Sequence, residues 1–383
     1  MENFIAYNPT KLHFGKDVTE KLTESLPRYG RKVLLVYGKG SIVRSGLYDK
    51  VRSLLDKEGM EVVEFGGIRP NPVIEDVDAA AELGRRHKVD MILAVGGGSV
   101  IDSAKIISIT IPVNHSGWLF YSGEAKPEKA TPLLAVLTLA ATGTEMNRFA
   151  VLSNHSEGKK SGYGHLLCYP KESFLDPALT ISVSREYTAY GIADLIAHCF
   201  ELYFGAGDAS LSDRFITSIV REAMECGPPL LNNLSDYDLR ARIMYAATLA
   251  LNGMTANGKV SGDWAVHGMG HVLSLLYDTP HGASLTIAYP AWLKFFKEPM
   301  KDRIAALGTE LFREPLDADQ SILRIEGLFR QIACPIRLSE INIGPDQKDK
   351  LVAGFISNEV NGGNMKMTEE DYPKLIDLML DAG

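Results

Sequence analysis

The chain has 383 residues, of which 45% are hydrophobic and 23% are charged. This composition excludes disordered and fibrous proteins, and the length suggests two or three globular domains. The formal net charge of −8 and the lack of any Lys/Arg-rich run argue against a nucleic-acid partner. No signal-peptide pattern and no run of roughly 18 apolar residues occurs, so we expect a cytoplasmic protein with no membrane partner.

The first half alternates short β-rich runs with helical patterns. In chain order the pairs are "RKVLLVYG" and "SGLYDKVRSLLDKEG", "MEVVEFGG" and "VIEDVDAAAELGRRHK", and "VDMILAVGGGS" and "VIDSAKIISI". Strands that are rich in Val, Leu and Ile on both faces and are separated by helices indicate βαβ units. We therefore predict an α/β domain with a parallel sheet over residues 1–183.

A glycine run lies between the third of these strands and its helix. Gly96, Gly97 and Gly98 would let a phosphate approach the backbone, where a new helix presents free N–H groups. Ser99 and Asp102 also fit an ordinary helix N-cap with an acidic first turn. The spacing matches neither the G-x-G-x-x-G fingerprint nor a P-loop, so both readings stay open at this point.

The end of the first strand carries no acidic residue. Many dinucleotide folds place an acid there to bind the ribose 2′-hydroxyl, whereas this chain has Gly38, Lys39 and Ser41 and no acid before Asp49. If a dinucleotide binds, a 2′-phosphate would be accepted. The alternative is a flexible turn with one solvated lysine.

The second half changes to long helical patterns. They are "SREYTAYGIADLIAHCFELYF", "DYDLRARIMYAATLALNGM" and "DWAVHGMGHVLSLLYD". We therefore predict an all-α domain over residues 184–383, with one boundary after Val183.

Histidines and one aspartate recur at helical spacing in this half. Asp194 and His198 are four residues apart, as are His267 and His271, and His281 follows after a Pro-containing turn. Each alone could be structural, but together they suit a divalent ion such as Fe²⁺ or Zn²⁺. The four cysteines show no C-x-x-C spacing, so a metal here would need nitrogen and oxygen ligands.

The motifs "GGGSVIDSAK", "TLAATGTEMN", "GIADLIAHCFE", "HGMGH" and "PHGASL" occur in this order. With them the chain resembles the iron-dependent, group III alcohol dehydrogenases, in particular the branch of NAD(P)H-dependent butanol dehydrogenases and aldehyde reductases. The resemblance implies an N-terminal dinucleotide-binding domain and a C-terminal helical domain that holds a metal. It is densest between residues 30 and 290, and the tail after about residue 300 carries no motif.

The resemblance also implies roles for particular residues. The metal ligands would be Asp194, His198, His267 and His281, whereas His271 would be a catalytic residue beside the nicotinamide and the substrate, where it could relay a proton. The residues implied in cofactor binding are Gly38, Ser41, Asn71, Gly97, Gly98, Ser99, Asp102, Thr138, Thr142, Asn147 and Lys160. Lys159 could replace its neighbour Lys160.

One departure from the family pattern follows Asn147. Arg148 and Phe149 stand where the family has small or polar residues, which affects the expected size of the substrate pocket.

We expect hydride transfer between NADP(H), with NAD(H) as a less favoured cofactor, and a small aliphatic aldehyde or primary alcohol such as butanal or butanol. One bound Fe²⁺ or Zn²⁺ would assist the hydride transfer, and the chain could form a homodimer.

Two other interpretations are kept. A carbon–oxygen lyase related to dehydroquinate synthase would have a similar fold, but its polyanionic substrate calls for Lys and Arg around the metal motifs. Those segments instead carry apolar residues such as Leu195, Phe200 and Leu273. A non-catalytic nucleotide-binding module with a structural metal is the second interpretation.

Overall fold

The structure is a computed structural model that describes residues 1–380; the last three residues of the predicted second domain lie outside the described residues. The chain divides into two compact units. The α/β unit comprises Tyr7–Val183, and the helical unit begins at Ser184 and includes Met1–Ala6. The N-terminal residues pack with the helical unit, where the Glu2 backbone N–H donates to the Gly258 carbonyl oxygen at 2.9 Å.

The α/β unit contains eight strands and six α-helices among its described residues. The strands are β1 (Lys11–Phe14), β2 (Lys32–Gly38), β3 (Glu61–Ile68), β4 (Met91–Gly96), β5 (Leu133–Leu137), β6 (Phe149–Asn154), β7 (Lys159–Gly164) and β8 (Glu172–Leu175). The helices are α1 (Leu22–Ser25), α2 (Ser41–Arg44), α3 (Leu47–Lys57), α4 (Ile74–His87), α5 (Gly98–Thr110) and α6 (Trp118–Tyr121).

Six of these strands form one parallel sheet in the order β1-β8-β5-β4-β2-β3. All residues of β4 and β5 are buried, as expected for strands that are covered on both faces. The strand order reverses between β2 and β4, because β2 leads outward to β3 whereas β4 returns to the other side of β2. In open α/β sheets, ligands bind at such a reversal, beside the carboxyl ends of the strands. Here β2 ends at Gly38 and β4 ends at Gly96.

The helical unit contains nine α-helices among its described residues. They are α7 (Arg185–Tyr203), α8 (Ser210–Asn232), α9 (Tyr237–Ala250), α10 (Ala265–Tyr277), α11 (His281–Phe295), α12 (Lys301–Phe312), α13 (Ala318–Gln331), α14 (Lys348–Ser357) and α15 (Tyr372–Leu380). Within residues 1–380 no helix combines the length and the apolar character that crossing a membrane requires.

The predicted fold class is therefore confirmed: a parallel-sheet α/β part is followed by an all-helical part. The sequence did not predict the antiparallel hairpin of β6 and β7, which lies outside the main sheet. The β7 sequence "KKSGYG" contains no residue typical of a buried strand except its tyrosine. Its strand conformation comes instead from pairing with β6, residue by residue from Phe149↔Gly164 to Asn154↔Lys159.

Candidate active site

Helix α7 carries the first polar residues of the candidate metal centre. Ser184 caps the helix by accepting a hydrogen bond from the Tyr187 backbone N–H at 3.3 Å. Asp194, His198 and Glu201 follow at spacings of four and three residues, so all three lie on one face of the helix. Their exposed fractions are 2%, 4% and 1%, which means that this polar face is turned into the interior of the unit.

Helices α10 and α11 bring further histidines to the same place. The Oδ1 atom of Asp194 lies 3.5 Å from His198 Nδ1, 3.8 Å from His267 Nε2 and 3.7 Å from His281 Nε2. Asp194, His267 and His281 each offer one ligand atom within 4.8 Å of the other two. His198 is outside this group of three, but its ring stacks on that of His267 with centroids 4.7 Å apart.

These atoms approach one another without forming hydrogen bonds. Within the part of the chain that the structure describes, Asp194 Oδ1, His198 Nδ1 and His267 Nε2 are buried and have no hydrogen-bond partner. Such atoms are costly to bury unless they bind something else. Ligand atoms around a tetrahedral first-row ion lie roughly 3.3–3.6 Å apart, because each is about 2.0–2.2 Å from the metal. The three histidine nitrogens lie 3.5–3.8 Å from Asp194 Oδ1, which is close to that distance, so the residues fit a divalent ion.

Glu201 orients one of the histidines and was not identified from the sequence. Its Oε1 accepts hydrogen bonds from His267 Nδ1 at 2.8 Å and from the His267 backbone N–H at 2.9 Å. Its Oε2 accepts one from the Trp264 backbone N–H at 2.6 Å. Because the Nδ1 proton of His267 points to Glu201, Nε2 is left to act as a ligand. The available sequence signal was its position seven residues after Asp194.

Burial and the neighbouring charges shift the pKa values of these groups. Burial alone would raise the pKa of Asp194, but the three surrounding imidazoles hold it well below its usual range. Burial lowers the pKa of His198 to about 4, which favours the neutral form that binds metals. Although burial acts to lower it, the pKa of His267 is raised because the Asp194 and Glu201 carboxylates face its ring.

His271 lies one helical turn beyond His267 on α10. Its ring centroid is 6.4 Å from that of His267 and 5.6 Å from that of His281, on which it stacks. It is not one of the three residues whose ligand atoms converge. The position is next to the candidate metal centre.

The predicted phosphate loop joins β4 to α5. A Cβ atom on Gly96 would lie 2.5 Å from Val100, and one on Gly98 would lie 3.1 Å from Thr142 Oγ1. A side chain at Gly96 would therefore displace the Val100 side chain, and one at Gly98 would require the Thr142 side chain to shift by a few tenths of an ångström. Ser99 Oγ donates a hydrogen bond to the Pro70 carbonyl oxygen, so the loop also contacts the "RPNP" segment.

The other predicted cofactor residues belong to the same unit, and one of them, Lys160, lies in strand β7. Lys160 Nζ donates to Asn71 Oδ1 at 2.8 Å, and Lys160 is buried. Lys159 pairs with Asn154 in the hairpin and points to the opposite face, because successive residues of a strand alternate. The Thr138 backbone N–H donates to the Gly96 carbonyl oxygen at 3.0 Å.

At the end of β2 the chain turns through Gly40 into the short helix α2. Gly40 has a φ of +116°, a conformation that favours glycine. Gly38 has no such constraint, and a Cβ atom there would make only ordinary contacts, the nearest at 3.6 Å. Lys39 and Ser41 are exposed.

Asp102 bonds to protein groups in this structure. Its Oδ1 accepts the Thr144 hydroxyl proton at 2.5 Å, and its Oδ2 accepts the Val151 backbone N–H at 2.9 Å. Lys105, three residues further along α5, is fully buried near the predicted residue Asn147. Phe149 remains 43% exposed, with the Arg148 guanidinium 5.4 Å from its ring centre.

Comparison with known proteins gives two family matches. Residues 9–177 match the iron-containing alcohol dehydrogenase family model, and residues 188–379 match the C-terminal model of the Fe-containing alcohol dehydrogenase family. A probable NADH-dependent butanol dehydrogenase 1 of Bacillus subtilis is 38% identical over 98% of this chain and 99% of that protein. The NADPH-dependent aldehyde reductase YqhD of Escherichia coli is 36% identical, covering 90% of each chain.

A solved structure agrees with these matches. The crystal structure of NADH-dependent butanol dehydrogenase A from Thermotoga maritima has a TM-score of 0.95 and 35% identity, and covers 100% of this chain and 99% of that one. The two family models together span most of both units. The family that the motifs indicated is confirmed, and the chain belongs to the iron-containing alcohol dehydrogenases.

Proposed function

We propose that this chain is a metal-dependent aldehyde reductase and alcohol dehydrogenase that uses NADP(H) in preference to NAD(H). The observation that carries this proposal is the convergence of His198, His267 and His281 nitrogens on the buried Oδ1 of Asp194. Its relatives are named as butanol dehydrogenases and an aldehyde reductase, which supports a small aliphatic aldehyde or primary alcohol as the substrate.

The helical unit would hold the ion through Asp194, His198, His267 and His281. A divalent ion bound there would supply Lewis acidity to a carbonyl or alkoxide oxygen, and the nicotinamide would supply the hydride. Glu201 keeps the Nε2 atom of His267 directed at Asp194 by holding its Nδ1 proton.

We assign His271 the handling of the proton that an alkoxide product needs. It is partly exposed, whereas His267 is buried, and imidazoles exchange protons near neutral pH. Its place one turn from His267 and stacked on His281 is consistent with that assignment.

The α/β unit would bind the dinucleotide at the strand-order reversal of its sheet. Gly97, Gly98 and Ser99 at the start of α5 would lie against the pyrophosphate, where backbone N–H groups face an anion. Asn147 and Thr142 would continue toward the nicotinamide.

The preference for NADPH rests on the end of β2. Gly38 offers no carboxylate there to bind a ribose hydroxyl or to repel a 2′-phosphate, and Lys39 and Ser41 are exposed beside it. The names of the relatives point both ways, since those from Bacillus subtilis and Thermotoga maritima are called NADH-dependent and that from Escherichia coli NADPH-dependent.

The test is an assay of the purified protein, stripped of metal and then reloaded with Fe²⁺ or Zn²⁺. We expect steady oxidation of NADPH with butanal, slower oxidation of NADH, and loss of both rates after chelation. Each methylene buried with the substrate contributes up to about 0.8 kcal/mol, so kcat/KM should rise from acetaldehyde to butanal. Absence of net NADPH consumption would favour a lyase, which regenerates its cofactor in every turnover. Activity that survives complete metal removal would contradict metal dependence.

A further inference from the structure

A lysine that the proposed reaction does not use is enclosed within the α/β unit. Lys105 has 0% exposure, and its Nζ atom donates hydrogen bonds to Thr144 Oγ1 at 2.7 Å, to Asn147 Oδ1 at 3.0 Å and to the Phe149 carbonyl oxygen at 2.6 Å. We propose that Lys105 is a positioning residue for the nicotinamide half of the cofactor and acts through Asn147. This inference rests on the function proposed above.

The three hydrogen bonds use all the protons of the ammonium group. Burial of a charged lysine is costly, so a site that retains one must compensate it closely. The compensating charge is Asp102, which reaches the same place because it lies three residues earlier on α5. The Thr144 hydroxyl connects the two side chains, since it accepts from Lys105 and donates to Asp102 at 2.5 Å.

Asp102 and Lys105 together fasten both ends of the segment from Thr144 to Val151. Asp102 Oδ2 accepts the Val151 backbone N–H at 2.9 Å, and Lys105 binds within the segment at Asn147 and Phe149. These contacts join α5, which starts at the glycine run, to the loop that carries Asn147. Movement of the loop relative to the glycine run would break these buried, charge-assisted bonds.

Lys105 also fixes which way the Asn147 amide faces. An ammonium group only donates, so the atom that it contacts is the amide oxygen, which accepts a second bond from the Phe149 backbone N–H at 2.9 Å. The amide nitrogen donates to the Gly143 carbonyl oxygen at 2.9 Å. Next to Gly143, the Thr142 side chain lies against the Gly98 position of the phosphate loop. The amide and the loop beside the glycine run are thus held as one unit.

The test separates the two halves of the cofactor. We would measure the dissociation constants of NADPH and of its adenosine half, 2′,5′-ADP, by titration calorimetry on the full-length, metal-loaded protein. In Lys105→Met, which removes the charge and keeps a similar length, NADPH should bind about tenfold more weakly or worse. The constant for 2′,5′-ADP and the bound metal should remain within twofold of the wild-type values.

A matched control is Glu172→Gln. Glu172 is another buried charged residue of the same unit, but its side chain bonds to His13, Ser25 and Tyr29 at 2.6–3.1 Å and not to the Thr144–Val151 segment. The Glu172→Gln variant should have a lower melting temperature, but the dissociation constants of NADPH and 2′,5′-ADP should not change relative to each other. If Lys105→Met fails to fold, Thr144→Val removes the connecting hydroxyl and should weaken NADPH selectively, to a smaller degree.

The inference is overturned if NADPH and 2′,5′-ADP weaken equally in the lysine variant, because Lys105 then serves only the fold. It is also overturned if neither constant changes. A wild-type protein that binds neither ligand would refute the proposed function itself, and this inference with it.

Discussion

Replacement of Glu201 by Gln should weaken metal binding without removing any proposed ligand. The carboxylate accepts three hydrogen bonds, two from His267 and one from the Trp264 backbone. A glutamine amide has one accepting atom, its oxygen, and one donating group, its NH₂. The NH₂ group must therefore face either the Trp264 backbone N–H or the two N–H groups of His267, from which it cannot accept a hydrogen bond. In the second orientation the Nδ1 proton of His267 loses its acceptor.

The size of the effect follows from these contacts. Glu201 is 1% exposed, so water cannot replace a lost partner. An unpaired buried donor costs about 1–3 kcal/mol. Loss of a carboxylate that orients a metal-bound histidine typically weakens metal binding about 10- to 100-fold, which is roughly 1.4–2.7 kcal/mol. Glu201→Gln should also disturb the backbone at Trp264, because this residue has a φ of +68° and its backbone N–H is bonded to Glu201.

The assay is competition between the protein and a chelator of known affinity for Zn²⁺, with bound metal measured by elemental analysis. We expect a 10- to 100-fold weaker constant for Glu201→Gln, and Glu201→Asp should recover part of the loss. Glu172→Gln controls for removal of a buried carboxylate elsewhere, since Glu172 also accepts three side-chain hydrogen bonds. A Glu201→Gln protein with wild-type zinc affinity would refute the role given to this residue.

Three further expectations concern separate parts of the chain. His267→Ala or His281→Ala should lose bound metal and turnover together, whereas His271→Ala should keep its metal and lose rate; a metal-free His271→Ala protein would reverse the assignment. Gly38→Asp, at a position where a Cβ atom makes only ordinary contacts, should lower the ratio of NADPH to NADH kcat/KM about tenfold or more, and an unchanged ratio would place the 2′-phosphate site elsewhere. Burial lowers the pKa of Lys105 to about 8, below its unfolded value of 10.5, so between these pH values the unfolded chain binds more protons than the folded protein. The melting temperature of wild type should therefore rise relative to that of Lys105→Met from pH 8 to 10. A difference in melting temperature that stays constant over this range would contradict the pKa shift.

The main sheet and the helical unit could be predicted from sequence because they depend on local pattern. Runs such as Val33–Val36 and Met91–Gly96 are apolar on both faces, which only a covered parallel strand or a buried helix allows, and their length and flanking turns favour the strand. The spacing of Asp194 and His198 likewise placed both on one face of α7. Each of these inferences needed only neighbouring residues.

The residues that sequence reasoning missed depend on partners far along the chain. Glu201 bonds to His267, 66 residues away, and Lys105 to Asn147, 42 residues away. Within their own helices both look like ordinary polar residues in apolar surroundings. Only the tertiary structure shows that one orients a histidine and the other an asparagine.

Buried charges in this protein differ in whether other protein groups satisfy them. Lys105 has three acceptors, and the buried Lys259 is bonded to the carboxylate of Asp213 at 2.7 Å. Asp194 Oδ1 is different, since three imidazole nitrogens surround it at 3.5–3.8 Å, too far for hydrogen bonds. Simple ion pairing would have drawn these groups together as it does at Asp213. Their separation, kept by three packed helices, is what a set of ligands to a shared cation requires.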